Sequence, residues 1–160
     1  MPTTLLTVAT RKGTFLFTSD DRKNWTMSEP LCEGWPIYHA IYDAESGDMY
    51  AAAASEWHGA TVWRSSDLGE TWESSSEGIG FGEGDAAPKL SKISGLTAAH
   101  GRLFAGVETP GIFESRDKGK TWSLLSTLDG MPGRSKPPTK RSSTRWRTAC
   151  GRRKRCRHRF

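Results

Sequence analysis

Short runs rich in β-branched and aromatic residues, broken by turn residues, follow one another along the first 126 positions, and no helical pattern interrupts them. LLTVAT at Leu5–Thr10 turns at Lys12-Gly13 into TFLFT at Thr14–Thr18, and a short strand follows at Trp25–Ser28. A second unit starts with Ile37–Tyr42, turns at Glu45-Ser46-Gly47, and continues through Met49–Ala54, Ala60–Ser66 and Thr71–Ser76. After a glycine-rich loop, Gly78–Gly84, a third unit reads Ile93–Ala99, Leu103–Val107, Gly111–Ser115 and Thr121–Ser126. The pattern predicts an all-β chain with four short strands in each full unit and an incomplete first unit.

An octapeptide, Ser-x-Asp-x-Gly-x-Thr-Trp, marks the same place in the second and third units: Ser65, Asp67, Gly69, Thr71 and Trp72, then Ser115, Asp117, Gly119, Thr121 and Trp122. A decayed copy, TSDDRKNW, spans Thr18–Trp25 and aligns Asp20 with Asp67 and Asp117, at intervals of 47 and 50 residues. Each copy lies where two strands turn back on each other. The short Asp side chain can accept backbone N–H groups ahead of it, and the glycine tolerates positive φ. Thr favours re-entry into a strand, and the indole supplies an apolar body to pack under the turn. These residues are expected to staple a hairpin rather than to carry out chemistry. A period near 50 residues with four strands fits one β-propeller blade. About three four-stranded antiparallel blades are expected in residues 1–133, too few to close a ring.

The octapeptide is the Asp-box, or BNR, motif. Through VATRKGTFLFTSDDRKNW, EWHGATVWRSSDLGETW and GVETPGIFESRDKGKTW, the chain resembles the Asp-box β-propellers over residues 4–133, and within them bacterial sialidase-like or glycosyl hydrolase-like proteins. The resemblance implies a propeller of which this chain holds a part, inactive by itself. Its alternative is a non-catalytic propeller module that binds carbohydrate or a protein partner. In sialidases the resemblance would imply three arginines gripping a carboxylate, a Tyr nucleophile paired with Glu, and an acidic proton donor. Residues 1–133 offer only Arg11, Arg22, Arg64, Arg102 and Arg116, three of them beside the boxes, so no catalytic set is identified.

Charge divides the chain near Gly133. Residues 1–133 hold 11 Lys+Arg against all 18 Asp+Glu, a net charge of −7, whereas residues 134–160 hold 12 Lys+Arg and no acid. The tail has no Leu, Ile, Val or Met, so it is expected to be disordered and to continue no blade. Its composition reads as a frameshift product of a GC-rich gene. The alternative is a basic arm that binds nucleic acid with Trp146 available for stacking; with the frameshift reading preferred, nucleic acid is not the expected partner. The first residues lack a signal-peptide pattern and no apolar run spans a bilayer, so a cytoplasmic, non-membrane protein is expected. Three cysteines, Cys32, Cys150 and Cys156, make no disulfide framework, and the arginines around Cys150, Cys156 and His158 oppose a metal.

Some polar residues fall where a pocket can form. Arg11 follows the first strand, Glu56, Trp57 and His58 follow Ala51–Ala54, and Glu108 occupies the equivalent place after Val107. A carboxylate, an aromatic platform and an imidazole suit a sugar, so Arg11, Glu56, His58 and Glu108 are the pocket candidates. No cofactor or metal is expected, and unpaired blades are expected to favour self-association.

Overall fold

The computed structural model describes residues 3–55, 59–82, 89–108 and 110–125. Within them lie eleven strands in three antiparallel sheets and no helix. The first sheet is β1 (Thr4–Thr10), β2 (Gly13–Ser19) and β3 (Thr26–Met27). The second comprises β4 (Ile37–Tyr42), β5 (Met49–Ser55), β6 (Gly59–Ser65) and β7 (Glu73–Ser75). The third comprises β8 (Ile93–Ala99), β9 (Arg102–Val107), β10 (Gly111–Ser115) and β11 (Ser123–Leu124). In each sheet strands pair in chain order, as hairpin after hairpin dictates.

Register makes the repeat visible. Ser19 pairs with Thr4, Ser65 with Met49, and Ser115 with Leu103, so β1, β5 and β9 are equivalent, as are β2, β6 and β10. The first edge strands of the second and third sheets, β4 and β8, carry a bulge at the same place, between Ile37 and His39 and between Ile93 and Gly95. Among the described residues the first sheet has no counterpart of β4 and β8.

The sheets stand face to face in series, β4 packing on β1 and β8 packing on β4 and β5, and they do not close a ring. The Thr7 hydroxyl donates to the Ala40 carbonyl at 3.0 Å, and the Leu96 amide donates to His39 Nδ1 at 3.0 Å. Side chains alternate across each strand, so every sheet has one face toward the preceding sheet and one toward the following sheet. The middle sheet is covered on both. Ala51 and Ala53 pack with Ile37, Trp35 and Trp63 against the first sheet, whereas Tyr50, Ala52, Ala54 and Val62 pack against Leu96, Leu103, Ala105 and Phe113 of the third. Four consecutive alanines in β5 keep both neighbours close, because no side chain on either face stands off the backbone. Trp35 and Trp63 meet edge to face with centroids 5.2 Å apart, and Phe81 and Phe113 do so at 5.6 Å.

The outermost strands are shorter than the sequence pattern predicts. The expected strands at Trp25–Ser28, Thr71–Ser76 and Thr121–Ser126 contract to β3, β7 and β11, because Thr71, Trp72, Thr121 and Trp122 belong to the preceding turns. No described helix is long and apolar enough to cross a membrane. The boundary near Gly133 and the tail 134–160 lie outside the described residues.

Candidate functional site

Hairpin direction sorts the chain's polar groups into two ends. β2, β6 and β10 run toward the octapeptide turns, so Ser55 at the end of β5, Glu108 after β9 and the Arg11-Lys12 turn share the opposite end.

At the octapeptide end the two intact copies have the same wiring. Ser65 Oγ donates to Asp67 Oδ1 at 2.7 Å and accepts the Gly69 amide at 2.8 Å. Ser115 Oγ donates to Asp117 Oδ1 at 2.8 Å and accepts the Gly119 amide at 2.8 Å. Each Asp then accepts the amide of Thr71 or Thr121 at 2.9 Å, and the threonine hydroxyl donates to its second oxygen. The indoles of Trp72 and Trp122 donate to the carbonyls of Gly69 and Gly119 at 3.0 and 3.1 Å. Left-handed backbone is needed twice in each turn, at Leu68 (φ 57°) and Gly69 (98°), and at Lys118 (61°) and Gly119 (84°). Both carboxylates are thus occupied by their own turn. The side-chain and backbone bonds from Thr71 hold the Asp67 carboxyl down at about 2. Burial pushes Asp117 up, but the bonds from Thr121 and Ser115 outweigh it and leave that carboxyl also at about 2.

The first copy corrects the sequence alignment. Asp20 accepts only the Thr3 hydroxyl, at 2.8 Å. Asp21 takes the place of Asp67: it accepts Ser19 Oγ at 3.2 Å, the amides of Lys23 and Asn24 at 2.8 Å each, and Asn24 Nδ2 at 2.7 Å. These backbone bonds from Asn24 and Lys23 hold its carboxyl at about 2. Ser19 accepts the Arg22 amide at 2.8 Å, and Arg22 alone is left-handed, at φ 57°. The turn is one residue shorter than its counterparts, so matching on Trp25 shifted the aspartate by one.

Behind the intact turns lies a charged network. Asp48, 3% exposed, receives Arg64 Nη2 at 3.1 Å and Lys118 Nζ at 3.3 Å, and the Tyr50 hydroxyl donates to it at 3.2 Å. Burial raises the Asp48 carboxyl, yet the bonds from Arg64 and Lys118 prevail and hold it below the ordinary range. Burial, with the Asp48 charge beside it, pushes Tyr50 up to about 12. In the third sheet Glu114 takes Arg116 at 3.1 Å and Arg102 at 2.9 Å, which lower its carboxyl. Lys118 belongs to the third sheet and Asp48 to the second, so the network clamps two sheets.

At the opposite end two of the four pocket candidates, Arg11 and Glu108, are described. Glu56, Trp57 and His58 lie outside the described residues. Arg11 is exposed in the β1–β2 turn. Glu108 pairs with Lys92 Nζ at 2.8 Å and accepts the Ser91 hydroxyl at 2.7 Å, and these two bonds lower its carboxyl. A carboxylate held low in this way is in the ionised state of a base or nucleophile rather than the protonated state of a proton donor. Sequence reasoning missed Tyr38, whose exposed ring sits 5.2 Å from Lys92 Nζ. Tyr38, Lys92, Ser91 and Glu108 form one exposed aromatic and polar cluster. No group of three or more His, Cys, Asp or Glu among the described residues could hold a metal ion. Cys32 is half-buried, and burial pushes its thiol up to about 12, far from a reactive thiolate. Comparison with protein-family models and with curated proteins returned no match.

Proposed function

We propose that the three sheets are blades of an Asp-box β-propeller of the sialidase-like or glycosyl hydrolase-like kind, and that this chain alone hydrolyses no glycoside. The identical wiring of Ser65–Trp72 and Ser115–Trp122, at one register in successive sheets, is the observation that carries this reading. It supports the aspartates as hairpin staples, with both oxygens of each bonded within its own turn. A panel of fluorogenic sialosides and glucosides tests it. Release of fluorophore at the blank rate is expected, and turnover that disappears in Glu108→Gln would overturn the reading.

A non-catalytic carbohydrate-binding module is the second reading, favoured by the Tyr38 cluster. An exposed aromatic face covers the apolar side of a pyranose, while the adjoining Lys92, Ser91 and Glu108 offer donors and acceptors to hydroxyls. Retention on a glycan array that is lost in Tyr38→Ala would support it, and equal retention by both proteins would exclude this cluster.

A further inference from the structure

Strand register assigns every apolar side chain to a face, and two faces are left over. The preceding-side face of the middle sheet carries Ala51, Ala53, Trp63 and Trp72, and that of the third carries Ala105, Val107, Phe113 and Trp122. Their counterparts in the first sheet are Leu6, Val8, Phe17 and Trp25, with Met27 paired to Phe17. Ala51, Ala53 and Ala105 are 0% exposed and Trp122 is 5%, whereas Leu6 is 49%, Val8 36%, Trp25 40% and Met27 58%. At the positions of Leu6 and Val8 the other two sheets are covered and this one is bare; Trp25 answers to the half-buried Trp72 and the buried Trp122, while Met27 answers to Ser74 and Leu124, which are exposed as well.

At the other end of the series no sheet among the described residues covers the following-side face of the third sheet. Phe104, Gly106 and Ile112 are the counterparts of Tyr50, Ala52 and Val62, which are all buried against a neighbour. Phe104, Gly106 and Ile112 are only half-buried. A following-side face packs on a preceding-side face twice within this chain. The two leftover faces are therefore the two halves of that same contact, and no rotation of a single chain brings them together.

We propose that the following-side face of the third sheet docks on the preceding-side face of the first sheet of a second copy, head to tail. The inference rests on the propeller reading above. Propellers close with typically about four to eight blades, and six is the one multiple of three in that range. Two copies, each offering three sheets, would thus complete one ring with a twofold axis and two equal contacts.

Sedimentation of the full chain at high salt tests this, with a mass of twice 17.7 kDa expected. Leu6→Glu, on one face, and Ile112→Glu, on the other, should each give monomers that retain the β-sheet circular dichroism of the parent. Mixing the two variants should restore a pair, because one face of each is untouched. Val8→Glu and Thr97→Glu are alternative versions on the same faces, for use where the first pair loses structure. Tyr42→Glu, exposed on the middle sheet, should leave the dimer intact. A monomeric parent would overturn the proposal. So would an Ile112→Glu that stays dimeric while Leu6→Glu does not, since that describes a first-sheet face meeting its own copy. Association and hydrolysis fail separately: a monomer without glycosidase activity refutes the docking alone, and a dimer that cleaves sialosides refutes the proposed function alone.

Discussion

Gly78 and Gly47 have nearly the same backbone, φ 80° and 75°, and very different surroundings. An added Cβ at Gly47 would meet nothing within 4 Å, while one at Gly78 would lie 2.0 Å from the Trp122 carbonyl oxygen and 3.0 Å from its carbon. Gly47→Ala therefore carries the left-handed strain alone, about 1–2 kcal/mol, partly offset by the ~0.4–1 kcal/mol that Ala gains from a less free unfolded chain. Gly78→Ala has the same balance plus a forced separation of two backbones, since Cβ contacts below 3.0 Å do not occur. That separation opens the 2.9 Å bond from the Trp122 amide to the Glu77 carbonyl, at a site where Trp122 is 5% exposed. An unmade buried hydrogen bond costs about 1–3 kcal/mol. The expected loss is roughly 1 kcal/mol for Gly47→Ala and roughly 2–4 kcal/mol for Gly78→Ala. Urea unfolding followed by tryptophan fluorescence, at one protein concentration, measures the difference between the two. Equal midpoints would refute the reasoning, because the glycine-rich connection would then not lie against the Trp122 strand.

Trp63 has a buried indole nitrogen without an acceptor, and its counterparts in the other two sheets are Phe17 and Phe113, so Trp63→Phe should change stability by less than about 1 kcal/mol in a urea titration. Asp48→Asn removes the charge that Arg64 and Lys118 share; because Lys118 is 54% exposed and stays solvated, the loss should be about 1–3 kcal/mol, and the variant's stability should depend less on salt than the parent's. Asp21, Asp67 and Asp117 each titrate at about 2 when folded, against 3.8 for the free side chain, so their contribution is complete above pH 3.8 and is lost as pH falls toward 2. The unfolding midpoint should fall across that window, less steeply in Asp117→Asn, and a midpoint flat from pH 4 to pH 2 would contradict the role given to the turns. Asp21→Asn should shift the midpoint at neutral pH more than Asp20→Asn, and the reverse order would restore the original alignment.

The strands were legible because their signal is local. Alternation with β-branched and aromatic residues, cut by Lys12-Gly13 and Glu45-Ser46-Gly47, places all eleven strands over at least part of their observed spans, and the two turn motifs set the phase of the sheets. The exception in kind was the outer strand, where Thr and Trp have high strand propensity yet serve the turn through their hydroxyl and indole N–H. Asp21 was hidden by a deletion inside a motif whose conspicuous end, Trp25, remained. Its neighbour Asp20 satisfied the alignment, and only hydrogen bonding distinguishes two adjacent carboxylates. Asp48 left no pattern at all. It reads as an ordinary turn residue after Gly47, and its partners lie 16 and 70 positions away on two different sheets.

What the sequence could not show was which apolar residues lack a partner. Leu6 and Val8 look like half of a buried strand face, and in every local respect they are. Their exposure follows from counting sheets, since each face needs a neighbour and a series of three leaves one bare at either end. Isolated apolar side chains on a surface need no explanation, but Leu6, Val8 and Trp25 share one face of one sheet at positions that are buried or half-buried in the other two, which is the kind of patch that marks an interface. The polar chemistry points the same way. The aspartates of the turns, Asp48 and Glu114 are all committed to bonds that hold hairpins or sheets together. With these carboxylates spent on architecture, the most informative unsatisfied groups among the described residues are hydrophobic, and completing the assembly is the process they would drive.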